Sequence, residues 1–169
     1  MMKILVLNGS PRPHGSTVKM IDAFVEAAAD RKVDVVDVTK MNVKGCLACE
    51  YCHTKGHGRC IQKDDMQEIY ALLNEAEMLV IASPIYYHGI SGQLKCVIDR
   101  FYAVAYPSKP KNLKKVAMFL SSGDDNMYIG AKFSYDGDFV EYLGLESMGI
   151  FTNHDSDVMN KIKKMASSL

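Results

Sequence analysis

The chain has 169 residues, 48% of them hydrophobic and 24% charged, and its formal net charge is zero. This length suits one domain with its own core, here residues 1–169, and the charge balance gives no indication of binding to nucleic acid or an acidic membrane. The first apolar run holds four residues, and no run approaches the roughly 20 that a membrane helix needs. We therefore expect a cytoplasmic protein with no signal peptide and no membrane helix.

A loop of unusual composition follows the first predicted strand, Ile4 to Leu7. Residues 8–17 read NGSPRPHGST, with two Gly, two Pro and three hydroxyl side chains. Apolar residues then recur at helical spacing from Val18 to Ala28. The segment is therefore predicted to be a strand-to-helix turn, in which Gly9 and Gly15 permit unusual backbone angles and the prolines stiffen the loop.

The start of the helix after this loop is predicted to bind a phosphate group. Unpaired N–H groups and the helix dipole favour an anion at such a position. Ser16 or Thr17 is expected to cap the helix, and Ser10, Ser16 and Thr17 offer hydroxyl donors beside Arg12. The loop lacks the lysine of a Walker motif and the glycine spacing of the dinucleotide fingerprint. An empty capped turn is the alternative.

Cysteines cluster after the second predicted strand, residues 33–38, whose partial alternation in polarity is typical of an edge strand. Residues 45–63 form an insert with no helical or strand period. It contains Cys46, Cys49, Cys52 and Cys60. In a reducing cytosol such clustering indicates metal or redox chemistry rather than disulfides. Cys96 lies apart, in a predicted helix, and is expected to be an inert thiol.

Two further predicted strands also end in loops with unusual residues. The third strand, Met78 to Ala82, is wholly apolar and is therefore expected to be central. It leads into residues 83–89, a candidate binding lip with one Pro and two Tyr. The fourth strand, residues 116–120, ends at small residues that include Ser122 and Gly123.

The alternation of strands and helices predicts an α/β fold. Further helices are predicted from residue 64 or 65 onward and over 91–105, 139–146 and 155–167, with a loop at 126–138 and the fifth strand at 148–152. We expect a doubly wound, five-stranded parallel sheet in the order 2-1-3-4-5, with helices on both faces. The loops after strands 1, 3 and 4 then meet at the carboxyl edge of the sheet.

These three loops together fit a phosphorylated ligand with a planar polar ring. The first loop offers a phosphate cradle, the second offers aromatic side chains, and the third offers Ser122 and Gly123, past which a ring can approach the backbone. FMN is the leading candidate. Alternatively, Tyr86 and Tyr87 are a surface pair that packs on a partner subunit.

Three motifs in order make the chain resemble the flavodoxin-like NAD(P)H-dependent FMN reductase family. They are GSPR at 9–12 followed by ST at 16–17, SPIYY at 83–87, and GQLK at 92–95 running into IDR at 98–100. The resemblance covers about residues 3–152 and implies a flavodoxin-like fold that binds FMN. The residues implied to hold the FMN phosphate are Ser10, Arg12, Ser16 and Thr17. Those implied to contact the ring or the ribityl chain are Pro84, Ile85, Tyr86 and Tyr87, with Ser122 and Gly123 at the pyrimidine edge.

The cysteine insert is similar to the compact motif of iron-sulfur flavoproteins, which carry a 4Fe-4S cluster beside FMN. This similarity implies that Cys46, Cys49, Cys52 and Cys60 ligate a cluster. The motif departs from a ferredoxin run, because no Cys-Pro occurs three residues after the third Cys. Two alternatives stay open: zinc held by Cys46, Cys49 and Cys60 with His57 or Cys52, or four free thiols. His53 and His57 are otherwise expected on a solvated loop.

The resemblance implies an FMN-dependent oxidoreductase that moves electrons from NAD(P)H or a donor protein through FMN to a small acceptor. FMN supplies the chemistry, so no catalytic side chain is predicted. One alternative is an iron-sulfur flavoprotein that exchanges electrons with ferredoxin, and a second is a cofactor-free interaction module with structural zinc. Members of this family usually form dimers or tetramers, so a homodimer or homotetramer is expected. Tyr51, Tyr86, Tyr87 and Tyr106 are candidate interface residues.

Overall fold

Strands and helices alternate along the chain, as the sequence predicts. A computed structural model describes residues 1–169. The strands are β1 (Lys3–Asn8), β2 (Lys32–Asp37), β3 (Met78–Tyr86), β4 (Gly89–Ile90), β5 (Lys115–Ser121) and β6 (Glu146–Thr152). The α-helices are α1 (Ser16–Ala27), α2 (Met66–Glu75), α3 (Gly92–Arg100), α4 (Tyr102–Ala105), α5 (Ile129–Ser134) and α6 (Val158–Ser167). A π-helix covers Tyr135–Tyr142, and short 3-10 turns cover Val38–Lys40, Tyr51–His53 and Asp125–Met127.

The sheet has the predicted order. The five long strands run parallel as β2-β1-β3-β5-β6, and the two-residue β4 adds an antiparallel hairpin to the end of β3. Met78 to Ala82 of the central β3 are fully buried, while Val35 of the edge strand β2 is exposed. The predicted flavodoxin-like α/β fold is therefore confirmed.

Helices cover both faces of the sheet, as expected for a doubly wound fold. Successive residues of β1 point to opposite faces. Ile4 and Val6 belong to a core shared with α1 and α6. Leu5 and Leu7 belong to a larger core shared with α2, α3 and the segment from α5 to the π-helix. No helix has the length and apolar character needed to cross a membrane.

The segment between β5 and β6 differs from the prediction of a loop over 126–138 and a helix over 139–146. Helical structure begins at Ile129 and ends at Tyr142. The cause is tertiary: the fully buried Tyr135 donates a hydrogen bond from its hydroxyl to the Val116 carbonyl at 2.8 Å, and Phe139 is buried one turn later. These two anchors draw a glycine-containing segment onto the sheet.

The predicted lip at 83–89 is largely strand. Residues 84–86 continue β3, and the chain reverses at Tyr87 and His88 so that Ile85 pairs with Ile90. Both turn residues have positive φ, 49° and 66°. The helix predicted over 91–105 forms with a break at Phe101, between α3 and α4.

Candidate functional site

The three loops predicted to meet do so around one cavity of about 340 Å³ at the carboxyl ends of β1, β3 and β5. We call it the loop cavity. It is lined by Ser10, Arg12, Gly15, Ser16, Pro84, Ile85, Tyr86, Ser121, Ser122 and Gly123. Eight of the ten residues predicted to bind a cofactor are therefore brought together, and Thr17 and Tyr87 are not.

The loop after β1 is held in shape by its own hydrogen bonds. The Asn8 side-chain oxygen accepts from the Ser10 N–H at 2.9 Å, and the Ser10 hydroxyl oxygen accepts from the Arg12 N–H at 3.2 Å. The Gly15 N–H donates to the Arg12 carbonyl at 3.2 Å. Because these bonds form within the loop, its shape does not depend on a bound ligand.

Gly9 is required for a different reason from the one predicted. Neither Gly9 nor Gly15 has a positive φ, so neither uses the left-handed backbone conformation that glycine permits. A Cβ at Gly9 would lie 2.7 Å from the Ser91 Oγ and 2.9 Å from the Leu94 Cβ. The first turn of α3 thus fits against a bare backbone, and only glycine permits this approach.

The first turn of α1 provides unpaired donors at the loop cavity. Gly15 occupies the N-cap position and no side chain caps the helix, so the predicted cap by Ser16 or Thr17 is wrong. The backbone N–H groups of Ser16 and Thr17 have no acceptor in the chain. Ser16 is exposed, and the exposed Arg12 has no acidic partner. A donor set with this charge suits an anion.

The hydroxyl of Thr17 faces the sheet rather than the loop cavity. Thr17 is 1% exposed, and its Oγ1 lies 2.7 Å from the Oγ of Ser121 at the end of β5. This hydrogen bond ties the start of α1 to the end of β5. The Thr17 side chain therefore connects two loops of the site, and its backbone N–H is the group left to meet a ligand.

Tyr87 lies outside the loop cavity. It is 99% exposed and lines a neighbouring cavity of about 300 Å³ together with Ile98 and Ala131. The Ala131 N–H donates to the His88 carbonyl at 3.1 Å, so α5 is fixed against this turn. Positive φ at two non-glycine residues costs about 1–3 kcal/mol each, and such strain often occurs beside functional sites.

The third loop is held by residues that the sequence analysis missed. Asn153 accepts from the Ser122 N–H at 2.8 Å and donates to the Ser122 carbonyl at 3.0 Å, and Tyr128 donates to the same Asn153 oxygen at 2.8 Å. His154 also contacts the Ser122 carbonyl, at 3.1 Å. The sequence feature that could have indicated this contact is Asn153, a polar residue directly after the predicted fifth strand.

FMN fits the loop cavity by the chemistry of its lining. A phosphate monoester presents acceptor oxygens, and the cavity lining offers backbone donors, Ser16 and Arg12. No atom lies within 4 Å of a Cβ placed on Gly123, so a flat ring can approach the backbone there. The volume of about 340 Å³ lies in the range of small-molecule sites.

The cysteine insert is anchored where it begins and where it ends. The Asp64 carboxylate accepts from the Lys44 N–H at 3.1 Å and pairs with both terminal nitrogens of Arg100 at 2.9 and 3.1 Å. Burial alone would raise the pKa of Asp64, but the hydrogen bonds and charge of Arg100 outweigh it and hold that pKa below its usual value. We call this arrangement of Lys44, Asp64 and Arg100 the neck of the insert.

The four clustered cysteines face one small cavity of about 20 Å³, which we call the cysteine cavity. Burial raises the pKa of the Cys52 thiol, and the nearby Cys60, Glu50 and Cys46 raise it further. No group of three or more His, Cys, Asp or Glu side chains is placed to hold a metal ion. Four Cys thiolates are the usual ligand set of a 4Fe-4S cluster, and this cavity must widen to admit one.

The surroundings of the insert differ in part from prediction. His53 is half-buried, with its Nε2 2.9 Å from the Tyr102 carbonyl and its ring against Tyr102 and Tyr106, so the expected solvated position is wrong for this residue. Cys96 is half-buried in α3 and does not line the cysteine cavity.

The two cavities lie at opposite ends of α3. The loop after β1 contacts the start of this helix through Gly9, whereas Arg100 at its end lines the cysteine cavity. The helix has nine residues, which at the usual rise correspond to about 13 Å. The two cavities share no lining residue.

Comparisons with known proteins agree with the resemblance found in the sequence. A family model described as NADPH-dependent FMN reductase matches residues 2–145. An iron-sulfur flavoprotein of Methanocaldococcus jannaschii is 35% identical over 128 residues, covering 73% of this chain and 63% of that protein. An iron-sulfur flavoprotein of Archaeoglobus fulgidus is 36% identical over 101 residues, covering 59% and 45%. The chain thus spans about half the length of these relatives.

Solved structures support the fold. An FMN-dependent NADH-azoreductase of Bacillus anthracis, in complex with FMN, superposes with a TM-score of 0.69 at 16% identity, covering 99% of this chain and 97% of that one. An NAD(P)H:quinone oxidoreductase of Methanothermobacter marburgensis gives a TM-score of 0.70 at 16% identity, covering 99% and 94%. At this identity the similarity establishes the architecture alone.

Proposed function

The chain belongs to the NADPH-dependent FMN reductase family, and on that premise we propose that it is an FMN-dependent oxidoreductase. It takes electrons from NAD(P)H or a donor protein and passes them through FMN to a small acceptor. The observation that carries this proposal is the loop cavity, which joins an anion cradle at α1 to an open backbone edge at Gly123.

Bound FMN would supply the electron and hydride chemistry. The protein binds and orients it: Ser10, Arg12, Ser16 and the first N–H groups of α1 hold the phosphate. Pro84, Ile85 and Tyr86 lie along the ring or ribityl chain, and Ser122 and Gly123 meet the pyrimidine edge. Asn153 positions Ser122 and acts through it. No side chain is assigned as a general acid or base.

A riboflavin comparison tests the phosphate site. Ser16→Ala and Arg12→Gln each remove a donor, so FMN affinity should fall roughly 5- to 150-fold, the equivalent of about 1–3 kcal/mol. Riboflavin lacks the phosphate, and its affinity should not change. His14→Ala is the control, because His14 is in the same loop but does not line the cavity. Equal losses for both flavins would contradict the assignment.

The cysteine insert extends the proposal to a 4Fe-4S cluster held by Cys46, Cys49, Cys52 and Cys60. Support comes from the shared cysteine cavity and from the named iron-sulfur flavoproteins that the chain resembles. A ferredoxin-like donor would then deliver electrons through the cluster. Zinc held by Cys46, Cys49 and Cys60 with His57 or Cys52 is the alternative occupant of the insert.

Iron analysis separates these readings. After anaerobic reconstitution the wild type should bind four iron per chain. Cys→Ser at position 46, 49, 52 or 60 should lower the iron content, and Cys96→Ser is the matched control. Zinc uptake without iron, or full reductase activity in a metal-free protein, would refute the cluster. The protein would then be an FMN reductase without an iron-sulfur cluster.

A homo-oligomer is the proposed assembly. Large apolar side chains are exposed beside the loop cavity, on the β3–β4 turn and on the adjoining helix α5. They are Tyr86, Tyr87, Ile129 and Phe133. Aromatic side chains are enriched in interface cores, and a second copy of this chain placed here would cover the open side of the cavity. Light scattering should give at least a dimer at micromolar concentration, and a monomer that still binds FMN would refute this.

A further inference from the structure

One buried polar atom of the chain lacks a partner, and it belongs to Arg100. Its Nε is the sole buried side-chain nitrogen or oxygen without a hydrogen bond. The residue is 1% exposed, and its terminal nitrogens are bonded to Asp64 and to the Lys44 carbonyl. A buried donor of a charged group is costly to leave unpaired, so this N–H calls for an acceptor.

The surroundings of Arg100 identify the acceptor by its chemistry. Arg100 and Tyr70 line the cysteine cavity together with the four cysteines. The Tyr70 hydroxyl donates to the Arg100 carbonyl at 2.9 Å, and its oxygen makes no hydrogen bond with the Nε–H. The Glu50 carboxylate in this lining accepts from the Tyr102 hydroxyl at 3.2 and 3.3 Å, and the four cysteines are the groups that would place anionic sulfur around a metal centre. A thiolate or an inorganic sulfide is an anionic acceptor that suits a guanidinium donor.

We infer that Arg100 is a positioning residue for the iron-sulfur cluster, and that its Nε–H donates a hydrogen bond to a cluster sulfur or to the thiolate of a ligating cysteine. This inference rests on the proposed cluster. The same guanidinium fixes Lys44 and Asp64, which flank the four cysteines, so one side chain holds the insert and contacts its centre.

The arrangement has a consequence for the reduction potential. Hydrogen bonds to the sulfurs and the net charge around a cluster set its potential, since both stabilise the more negative, reduced state. Arg100 contributes a donor and a positive charge, and Asp64 offsets part of that charge. Loss of the Nε–H should lower the potential, whereas neutralising Asp64 should raise it.

The first test uses the wild-type protein, so it does not depend on a variant that folds. Protein containing arginine labelled with ¹⁵N at Nε is reconstituted anaerobically and reduced, and pulsed EPR is recorded. A ¹⁵N coupling to the cluster is expected. Four bound iron without such a coupling would overturn the role of Arg100 and leave the cluster in place. Absence of iron uptake would overturn both proposals.

The second test compares two variants of the neck. Arg100→Lys keeps the charge and removes the Nε donor, and Asp64→Asn keeps the donor and removes the counter-charge. Both loosen the neck, so a merely structural role would move the two potentials in the same direction. Opposite shifts, negative for Arg100→Lys and positive for Asp64→Asn, are expected at equal iron content. Shifts of one sign, or none, would refute the inference.

Discussion

Gly9→Ala is the substitution whose cost the structure defines most clearly. The added Cβ would lie 2.7 Å from the Ser91 Oγ and 2.9 Å from the Leu94 Cβ, both fully buried. Neither atom can yield by rotating a flexible side chain. The Ser91 Oγ caps α3 by accepting from the Leu94 N–H at 3.4 Å, and the Ser91 N–H donates to the Ser83 Oγ at 2.9 Å. The backbone itself must therefore shift.

Overpacking of this kind costs about 1–3 kcal/mol. A domain of this size loses roughly 2–4 °C in melting temperature per kcal/mol, so Gly9→Ala should melt about 2–12 °C lower. Urea unfolding followed by circular dichroism should give a lower midpoint at an unchanged slope. FMN affinity should fall as well, because Ser10 directly follows the displaced residue.

Gly92→Ala is the matched control for this change. Gly92 lies in the first turn of α3, and no atom is within 4 Å of its added Cβ. Alanine also favours a helix by up to about 1 kcal/mol over glycine, so the control should be neutral or slightly more stable. If Gly9→Ala unfolds at the same urea concentration as Gly92→Ala and binds FMN as well as the wild type, the close-approach argument is wrong.

Three further predictions concern the contacts around the two cavities. Thr17→Val leaves the Ser121 hydroxyl without its partner and should cost about 1–3 kcal/mol of stability by urea unfolding, and a cost no larger than that of an exposed position would refute the contact. Arg100 holds the pKa of Asp64 below its usual value, so their ion pair stabilises the fold above about pH 4 and is lost as the pH falls through the lowered pKa. The free energy of unfolding should therefore decrease less steeply with falling pH in Asp64→Asn than in the wild type. Replacing residues 87–88 by Asn-Gly should relieve up to about 1–3 kcal/mol of strain at each position and raise the melting temperature, and an unchanged temperature would mean that the turn is not strained.

Local patterns in the sequence were enough to predict the fold. The apolar run Met78 to Ala82 marks the central strand, and the mixed polarity of residues 33–38 marks an edge strand. Right-handed crossovers then leave few possible orders for five parallel strands. The same rules place the loops after three strands at one edge, which is why most of the predicted cofactor residues line one cavity.

Contacts between distant parts of the chain decided the rest. The Thr17 hydroxyl is bonded to Ser121, 104 positions away, and residues 129–142 are helical because Tyr135 reaches β5. Gly9 is required by the approach of α3, and Arg100 meets Asp64 across 36 positions to form the neck. Periodicity and spacing report which face a residue takes within its own element. The partner that it meets there depends on how elements pack, which only the tertiary structure contains.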